Sequence, residues 1–203
     1  MQKKPPLPEP GAPAAAERDI NALDERVRRS RAAVLGATTQ LLIERGFGGA
    51  TVDEISRRSG VAKTTIYRHW STRTDLLRDA CTTLGTPLDI PDAGSFEADV
   101  TALMTNLARL LRTARWTSVL PSIIDAAERD PDIAEMYGKL QHAYSAPLEA
   151  VIQRALRKGE LPANTDSAML IAALTGPLFY RRWFSRESLT DDFAHQIARL
   201  VLR

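Results

Sequence analysis

Residues 51–73 read TVDEISRRSGVAKTTIYRHWSTR, and this stretch decides the fold. Thr51 and Glu54 have the Thr-x-x-Glu spacing of a capping box, which satisfies orphan amides at the start of a helix. A short helix over 52–58 follows. Ser59-Gly60 ends it, since Gly60 can turn left-handed without a Cβ penalty. A second short helix is expected over 62–69. Trp70-Ser71 breaks away from it, and a third starts near Thr72 and runs to about Gly85. Ile55, Val61, Ile66 and Trp70 can meet in a small core that fixes the angle between the two short helices. Two short helices joined by a glycine turn form a helix-turn-helix pattern.

That core leaves Lys63, Thr64, Thr65, Tyr67, Arg68 and His69 distributed around the second helix, and most of them are donors. Lys63 and Arg68 can reach phosphates or guanine edges. Thr64 and Thr65 can touch a phosphate or a thymine methyl, and Tyr67 and His69 can stack along a nucleic-acid backbone and donate to it. A helix of this width fits the major groove of double-stranded DNA.

Upstream, residues 21–45 read as one helix, with Val34, Ala37, Thr38, Leu41 and Leu42 at helical spacing. Gly46 ends it, and Phe47 can pack back onto the last turn. Residues 1–16 hold five prolines and four alanines, and residues 1–20 are expected to form a disordered or extended tail. Downstream, Pro87, Pro91 and Gly94 mark a linker over 86–94. Beyond it the chain is helical again. Phe96, Val100, Leu103, Met104, Leu107 and Leu111 make an i, i+3/i+4 stripe. Residues 117–129 form a shorter apolar helix, and Asp130-Pro131 opens a long one that Lys158-Gly159 ends. Asp166 and Asp191 can cap helices over 167–184 and 191–202. No strand pattern occurs. The fold class is all-α, with a helix-turn-helix domain over 21–85 and a helical bundle over 95–203.

Charge follows the same division. The chain has 203 residues and a net charge of only +2. Residues 26–78 carry eleven Lys/Arg against four Asp/Glu, whereas residues 91–203 carry thirteen against fourteen. Basic charge gathered in a quarter of the chain suggests a part that faces nucleic acid and a neutral remainder. Arg26, Arg28, Arg29 and Arg31 could extend that face as a basic arm, or simply solvate the first helix. Hydrophobic residues are 44% and charged residues 26%, a globular balance. The longest apolar run, near 168–180, is too short for a membrane span. No apolar signal region follows the first residues, and the single cysteine, Cys81, suits a reducing cytoplasm.

From about Arg29 to Ala80 the chain resembles the DNA-binding domain of the TetR family of transcriptional regulators. The resemblance rests on LLIERGF (residues 41–47), TVDEISRRSGV (residues 51–61), KTTIYRHW (residues 63–70) and Leu76-Leu77. More loosely, AERDPDIAEMY (residues 127–137), RKGELP (residues 157–162) and LTGPLFYR (residues 174–181) are similar to the ligand-binding half of such regulators. The resemblance implies a homodimer that binds a near-palindromic operator, usually represses, and is released by a small molecule in the C-terminal half. It assigns base and phosphate contacts to Lys63, Thr64, Thr65, Tyr67 and His69. It adds a backbone contact from Arg73 and a backbone anchor at Thr51. Ala62 departs from the pattern, since many members have a capping serine there.

In the bundle, the larger side chains on inward stripes are candidates for an effector pocket: Met104, Leu107, Leu111, Trp116, Leu120 and Ile124, then Met136, Tyr137, Leu140, Tyr144, Leu174 and Phe179. Each could equally be plain core. Such a lining suits a small apolar or amphipathic effector. The last two helices offer a dimer interface through Ile171, Leu178, Arg182 and Trp183 on one and Phe193, Ile197, Leu200 and Val201 on the other, as a two-fold four-helix contact. Pro177 should kink the first of these or mark a widened turn. His69, His142 and His195 lack metal-ligand spacing, so neither a metal nor a cofactor is expected. No Gly-rich phosphate loop or nucleophile elbow points to an enzyme. A regulator without a ligand and a protein-interaction module remain as alternatives.

Overall fold

The computed structural model describes the backbone of residues 13–84 and 88–202, with side chains from Asp24 onward. Every regular element among them is helical: α1 (Pro13–Gly49), α2 (Val52–Ser59), α3 (Lys63–His69), α4 (Arg73–Thr82), α5 (Phe96–Thr113), α6 (Trp116–Ala127), α7 (Pro131–Lys158), α8 (Ser167–Tyr180) and α9 (Asp191–Val201), with a π-helical turn (Arg181–Ser185) between the last two. The all-α expectation holds. Residues 13–20 do not belong to an extended tail, because their backbone is already helical. A proline is tolerated in a first helical turn, and Ala14, Ala15 and Ala16 after it are the best helix formers. The rest of the expected tail lies outside the described residues, as do Gly85, the expected end of the helix that starts near Thr72, and residues 86–87 of the expected linker.

Local chemistry fixes the helix-turn-helix. Thr51 caps α2, its hydroxyl accepting from the Glu54 amide at 3.3 Å. Glu54 does not complete the box expected from its spacing; its carboxylate is taken by Arg57 at 2.9 Å and by Arg45 at 3.2 Å. The reciprocated box sits one motif later. The Thr72 hydroxyl accepts from the Asp75 amide at 3.0 Å, and the Asp75 carboxylate accepts from the Thr72 amide at 3.2 Å. Gly60 ends α2 at φ 69°, its amide donating to Ser56. The Ser56 hydroxyl then donates to the Val61 carbonyl at 2.8 Å, which sets the turn into α3. Ala62 gives α3 no side-chain cap, as its identity requires.

Two apolar cores organise the chain. The first joins Leu41, Leu42 and Phe47 of α1 to Ile55, Ile66, Trp70, Leu76 and Leu77, and is completed by Val119 and Ile123 of α6 and Ile133 and Met136 of α7. The second joins Val100, Leu103, Met104 and Leu111 of α5 to Leu148, Val151 and Ile152 of α7, Leu174 and Leu178 of α8, and Ala194 and Ala198 of α9. A buried ion pair secures the entry to α5: Arg154 on α7 donates to Asp99 at 2.6 Å and also holds the Pro91 carbonyl. The other Asp99 oxygen accepts from the Ala93 amide at 2.6 Å. With its hydrogen bonds filled, a buried carboxylate of this kind is tolerated rather than costly.

The segment expected as one helix over 167–184 is two elements. α8 ends at Tyr180, and the widened turn expected at Pro177 lies at Arg181–Ser185 instead. No helix among the described residues is long and apolar enough to cross a membrane.

Candidate nucleic-acid interface and interior cavity

Ile66 and Trp70 turn one side of α3 into the core. Lys63, Thr64, Tyr67 and Arg68 lie on the exposed side, at spacings of one, four and five residues that keep them together on one face. Tyr67 is 51% exposed, which is unusual for a large aromatic side chain without a partner role. Lys63 is paired with the Asp53 carboxylate of α2, and that hydrogen bond raises its pKa. Arg68, to which the resemblance assigns no contact, stands in the same exposed row.

The other expected contacts are placed differently. Thr65 and His69 are half-buried. His69 packs edge-on against Trp70, with ring centroids 5.6 Å apart, and its Nε2 lies 3.5 Å from the Ser30 hydroxyl of α1. Arg73 is turned to an internal use. Its Nε donates to the Ala50 carbonyl at 2.9 Å, a terminal nitrogen donates to the Phe47 carbonyl, and the guanidinium lies over the Phe47 ring. Burial lowers its pKa. Arg73 therefore staples α4 to the end of α1, and a free backbone-contacting arginine is not what the geometry offers. Arg31, in the expected basic arm, is also engaged: it reaches Asp79 at 3.0 Å and lies over Trp70, whose indole N–H donates to the same carboxylate at 2.9 Å. Arg28 pairs with Glu25 at 2.5 Å.

One residue, Phe47, is held from both the interface and the bundle. At Gly46 the chain bends out of helical geometry, with φ 68° and ψ −171°. The next amide, Phe47 N–H, donates to the Ser122 hydroxyl of α6 at 3.0 Å. The Phe47 carbonyl accepts from Arg73 of α4. The end of α1 is thus held by α6 from one side and α4 from the other.

Between those two helices and α5, α7 and α8 lies a cavity of about 120 Å³. Eight of the twelve expected pocket residues line it: Met104, Leu107, Trp116, Leu120, Tyr137, Leu140, Tyr144 and Phe179. Four do not. Leu111 and Leu174 are fully buried in the second core, Met136 is buried in the first, and Ile124 is exposed on α6. The lining also holds residues that sequence reasoning did not assign to a pocket: the apolar Leu84, Leu88, Leu103, Leu110, Ile123, Leu148 and Ile171, with Cys81, Gln141, Ser145, Pro147 and Thr175. Most of the apolar ones lie on helix faces that supply core and cavity wall alike, and the polar ones carry no periodic signal. Burial pushes the Cys81 thiol up to about 12 and raises both the Tyr137 and Tyr144 hydroxyls.

The eight residues expected at a dimer face are placed as follows. Leu178 and Ile197 are buried within their own subunit, and Ile171 lines the cavity. Arg182 donates to the Leu111 carbonyl at 2.9 Å, Trp183 stacks on Phe179, and Phe193 is covered by Arg181. Val201 packs, half-buried, on the second core. Only Leu200 of the eight is a large exposed hydrophobe, at 71%. The apolar face left open on α8 and its π-turn is Met169, Ala172, Ala173, Gly176, Tyr180 and Phe184, with Phe184 77% exposed.

Known proteins share both halves. A family described as bacterial regulatory proteins of the tetR family matches residues 34–80, and a tetracyclin repressor-like C-terminal domain matches residues 90–201. The HTH-type transcriptional regulator YdeS of Bacillus subtilis is 34% identical over 168 residues, which is 81% of this chain and 84% of that protein. The DNA-binding transcriptional repressor TetR of Mycobacteroides abscessus is 29% identical over 160 residues, 72% of this chain and 84% of that protein. Among solved structures, the TetR family transcription regulator SCO0332 superposes with a TM-score of 0.62 at 28% identity, covering 85% of this chain and 96% of that one. With both its exposed helix and its bundle accounted for by the same relatives, the chain belongs to the TetR family of bacterial helix-turn-helix transcriptional regulators.

Proposed function

We propose that the protein is a homodimeric cytoplasmic repressor that reads a near-palindromic operator with α3 and leaves it when a small, mainly apolar effector fills the cavity. The observation that carries the DNA-reading half is the exposed row Lys63, Thr64, Tyr67 and Arg68 opposite the buried Ile66 and Trp70. Thr51 caps α2 beside it, where a helix N-terminus can meet a phosphate. Thr65 and His69 flank the row. Two copies of α3 must be separated by about 34–36 Å, or a multiple, to enter successive major grooves on one face of the duplex. The open apolar face of α8, running from Met169 to Phe184, supports two-fold pairing against a second copy.

Effector release follows from shared helices. α4 lines the cavity with Cys81 and α6 lines it with Trp116, Leu120 and Ile123, and the same two helices hold Phe47. A ligand that binds better when α4 and α6 are spaced apart would change the spacing of the two α3 helices, in proportion to that difference in affinity. The test is selection of sites from a random duplex pool at stated salt, followed by Lys63→Ala and Tyr67→Ala. An inverted repeat is expected, and each substitution should weaken binding about 10-fold or more while leaving the fold intact. Selection of no motif, or wild-type affinity in both variants, refutes α3 as the reading helix.

A further inference from the structure

We propose that the cavity takes a neutral, flat aromatic molecule carrying a hydrogen-bond donor, and rejects anions of the same shape. The inference rests on the effector reading for its consequence at the operator, though not for the binding itself. Three features of the lining carry it.

The first is charge. Among the described residues, no Asp, Glu, Lys, Arg or His lines the cavity. An ionised ligand would lose its hydration and find no opposite charge, which is strongly unfavourable in an apolar enclosure. The lining cannot supply a charge by titration near neutral pH either. The Cys81 thiol stays protonated, and so do the Tyr137 and Tyr144 hydroxyls, since burial raises all three. Cations are disfavoured for the same reason as anions.

The second is shape. Trp116 and Tyr144 stack with centroids 6.2 Å apart and planes inclined by 22°, and on the α8 side Phe179 is backed by Trp183 at 5.5 Å and 11°. Flat walls favour a flat ligand in offset or edge contact. The volume of about 120 Å³ is close to that of a dry engineered cavity of ~150 Å³ that holds benzene. One ring, or two fused rings with modest side-chain adjustment, is the size that fits.

The third is the direction of the hydrogen bonds. The Ser145 hydroxyl donates to the His142 carbonyl at 3.1 Å, and the Thr175 hydroxyl donates to the Ile171 carbonyl at 2.8 Å. Each hydroxyl has a single proton, so both present only lone pairs to a ligand. A ligand reading these two hydroxyls must therefore donate, whereas the Gln141 amide and the tyrosine hydroxyls of the lining are of types that can donate as well as accept.

Three probes of one size separate these features: 2-naphthol, 2-methoxynaphthalene and 2-naphthoate. Their binding to the full chain is measured by equilibrium dialysis at pH 7. The expected order is 2-naphthol first, 2-methoxynaphthalene several-fold weaker, and 2-naphthoate at least 10-fold weaker than 2-naphthol. Thr175→Val should shrink the gap between the first two and leave the rejection of the naphthoate unchanged. Naphthoate binding as tightly as naphthol, or no binding of any probe, overturns the proposal on the wild-type protein alone. The same probes are then added to protein on its selected operator. Naphthol that binds with the expected ranking but leaves operator affinity unchanged sinks effector release and keeps the cavity assignment. Operator release by an anionic compound, with naphthol unbound, does the reverse.

Discussion

Replacing Gly46 by alanine should destabilise the protein far more than a surface substitution does. Gly46 sits at φ 68° and ψ −171°, a region that residues with a Cβ hardly ever adopt. Forcing alanine into it costs about 1–3 kcal/mol. The new Cβ would also meet Ser122, 3.0 Å from its Cβ and 3.1 Å from its hydroxyl oxygen. Ser122 cannot turn aside freely. Its hydroxyl accepts the Phe47 amide at 3.0 Å and donates to the Val119 carbonyl at 2.8 Å, so retreat breaks at least one bond worth about 1 kcal/mol. The sum is ~2–4 kcal/mol, to be read from urea unfolding followed by far-ultraviolet circular dichroism at fixed protein concentration. Ser122→Gly in the same chain removes the clash and leaves the backbone strain, so the double variant should recover part of the loss relative to the two single changes. A loss below about 0.5 kcal/mol for Gly46→Ala, the range of an ordinary surface change, would refute the reasoning: the bend would then be loose, and α6 would not hold the end of α1.

Two further outcomes follow from the charges on α2 and the open face of α8. Asp53→Asn removes the carboxylate that Lys63 must leave to reach a phosphate, and takes a negative charge off the approach to DNA. Operator affinity, measured by fluorescence anisotropy at stated salt, should rise about 2- to 5-fold, the scale of an exposed ion pair; a fall would mean that Asp53 holds Lys63 in its reading position. Phe184→Glu places a charge at the end of the open apolar face, where the Phe184 ring is largely exposed and stacks on Tyr180. Light scattering should report a monomer with the circular dichroism of the parent, and an unchanged dimer mass would exclude this face as the pairing surface.

The helix-turn-helix was legible in the sequence because its determinants are local. A cap at Thr51, a left-handed Gly60 and the spacing of Ile66 and Trp70 each act within one or two turns. Contacts across the chain carried no such mark. The partners of Arg73 are main-chain carbonyls 23 and 26 residues upstream, and any residue offers a carbonyl. Glu54 has the right spacing for a capping box, but Arg45 and Arg57 compete for its carboxylate. The face that α8 leaves open carried no mark for a different reason. α8 is apolar nearly all round, so periodicity cannot say which side covers Leu174 and which is left open at Ala173 and Tyr180. Eight of the twelve residues expected at a pocket line the cavity and four do not, because an inward face supplies both core and cavity wall, and spacing alone does not separate Met104 from Leu111.

The division of the chain into a DNA-binding part and a bundle is clearer in the sequence than in the packing. Val119 and Ile123 of α6 and Ile133 and Met136 of α7 belong to the same buried cluster as Leu41, Ile66 and Leu77. The helix-turn-helix therefore does not close its own core; it is finished by helices whose other side forms the cavity. Close-packed interiors shift between discrete arrangements rather than deform smoothly. On the function proposed above, a ligand between α4 and α6 would act on one continuous packed body, with Phe47 held at its amide by one helix and at its carbonyl by the other. A flexible hinge between two domains would let the bundle respond while α3 stayed still. A shared core does not allow that, and this is why a cavity of modest size at the centre of the chain can matter to a helix at its edge.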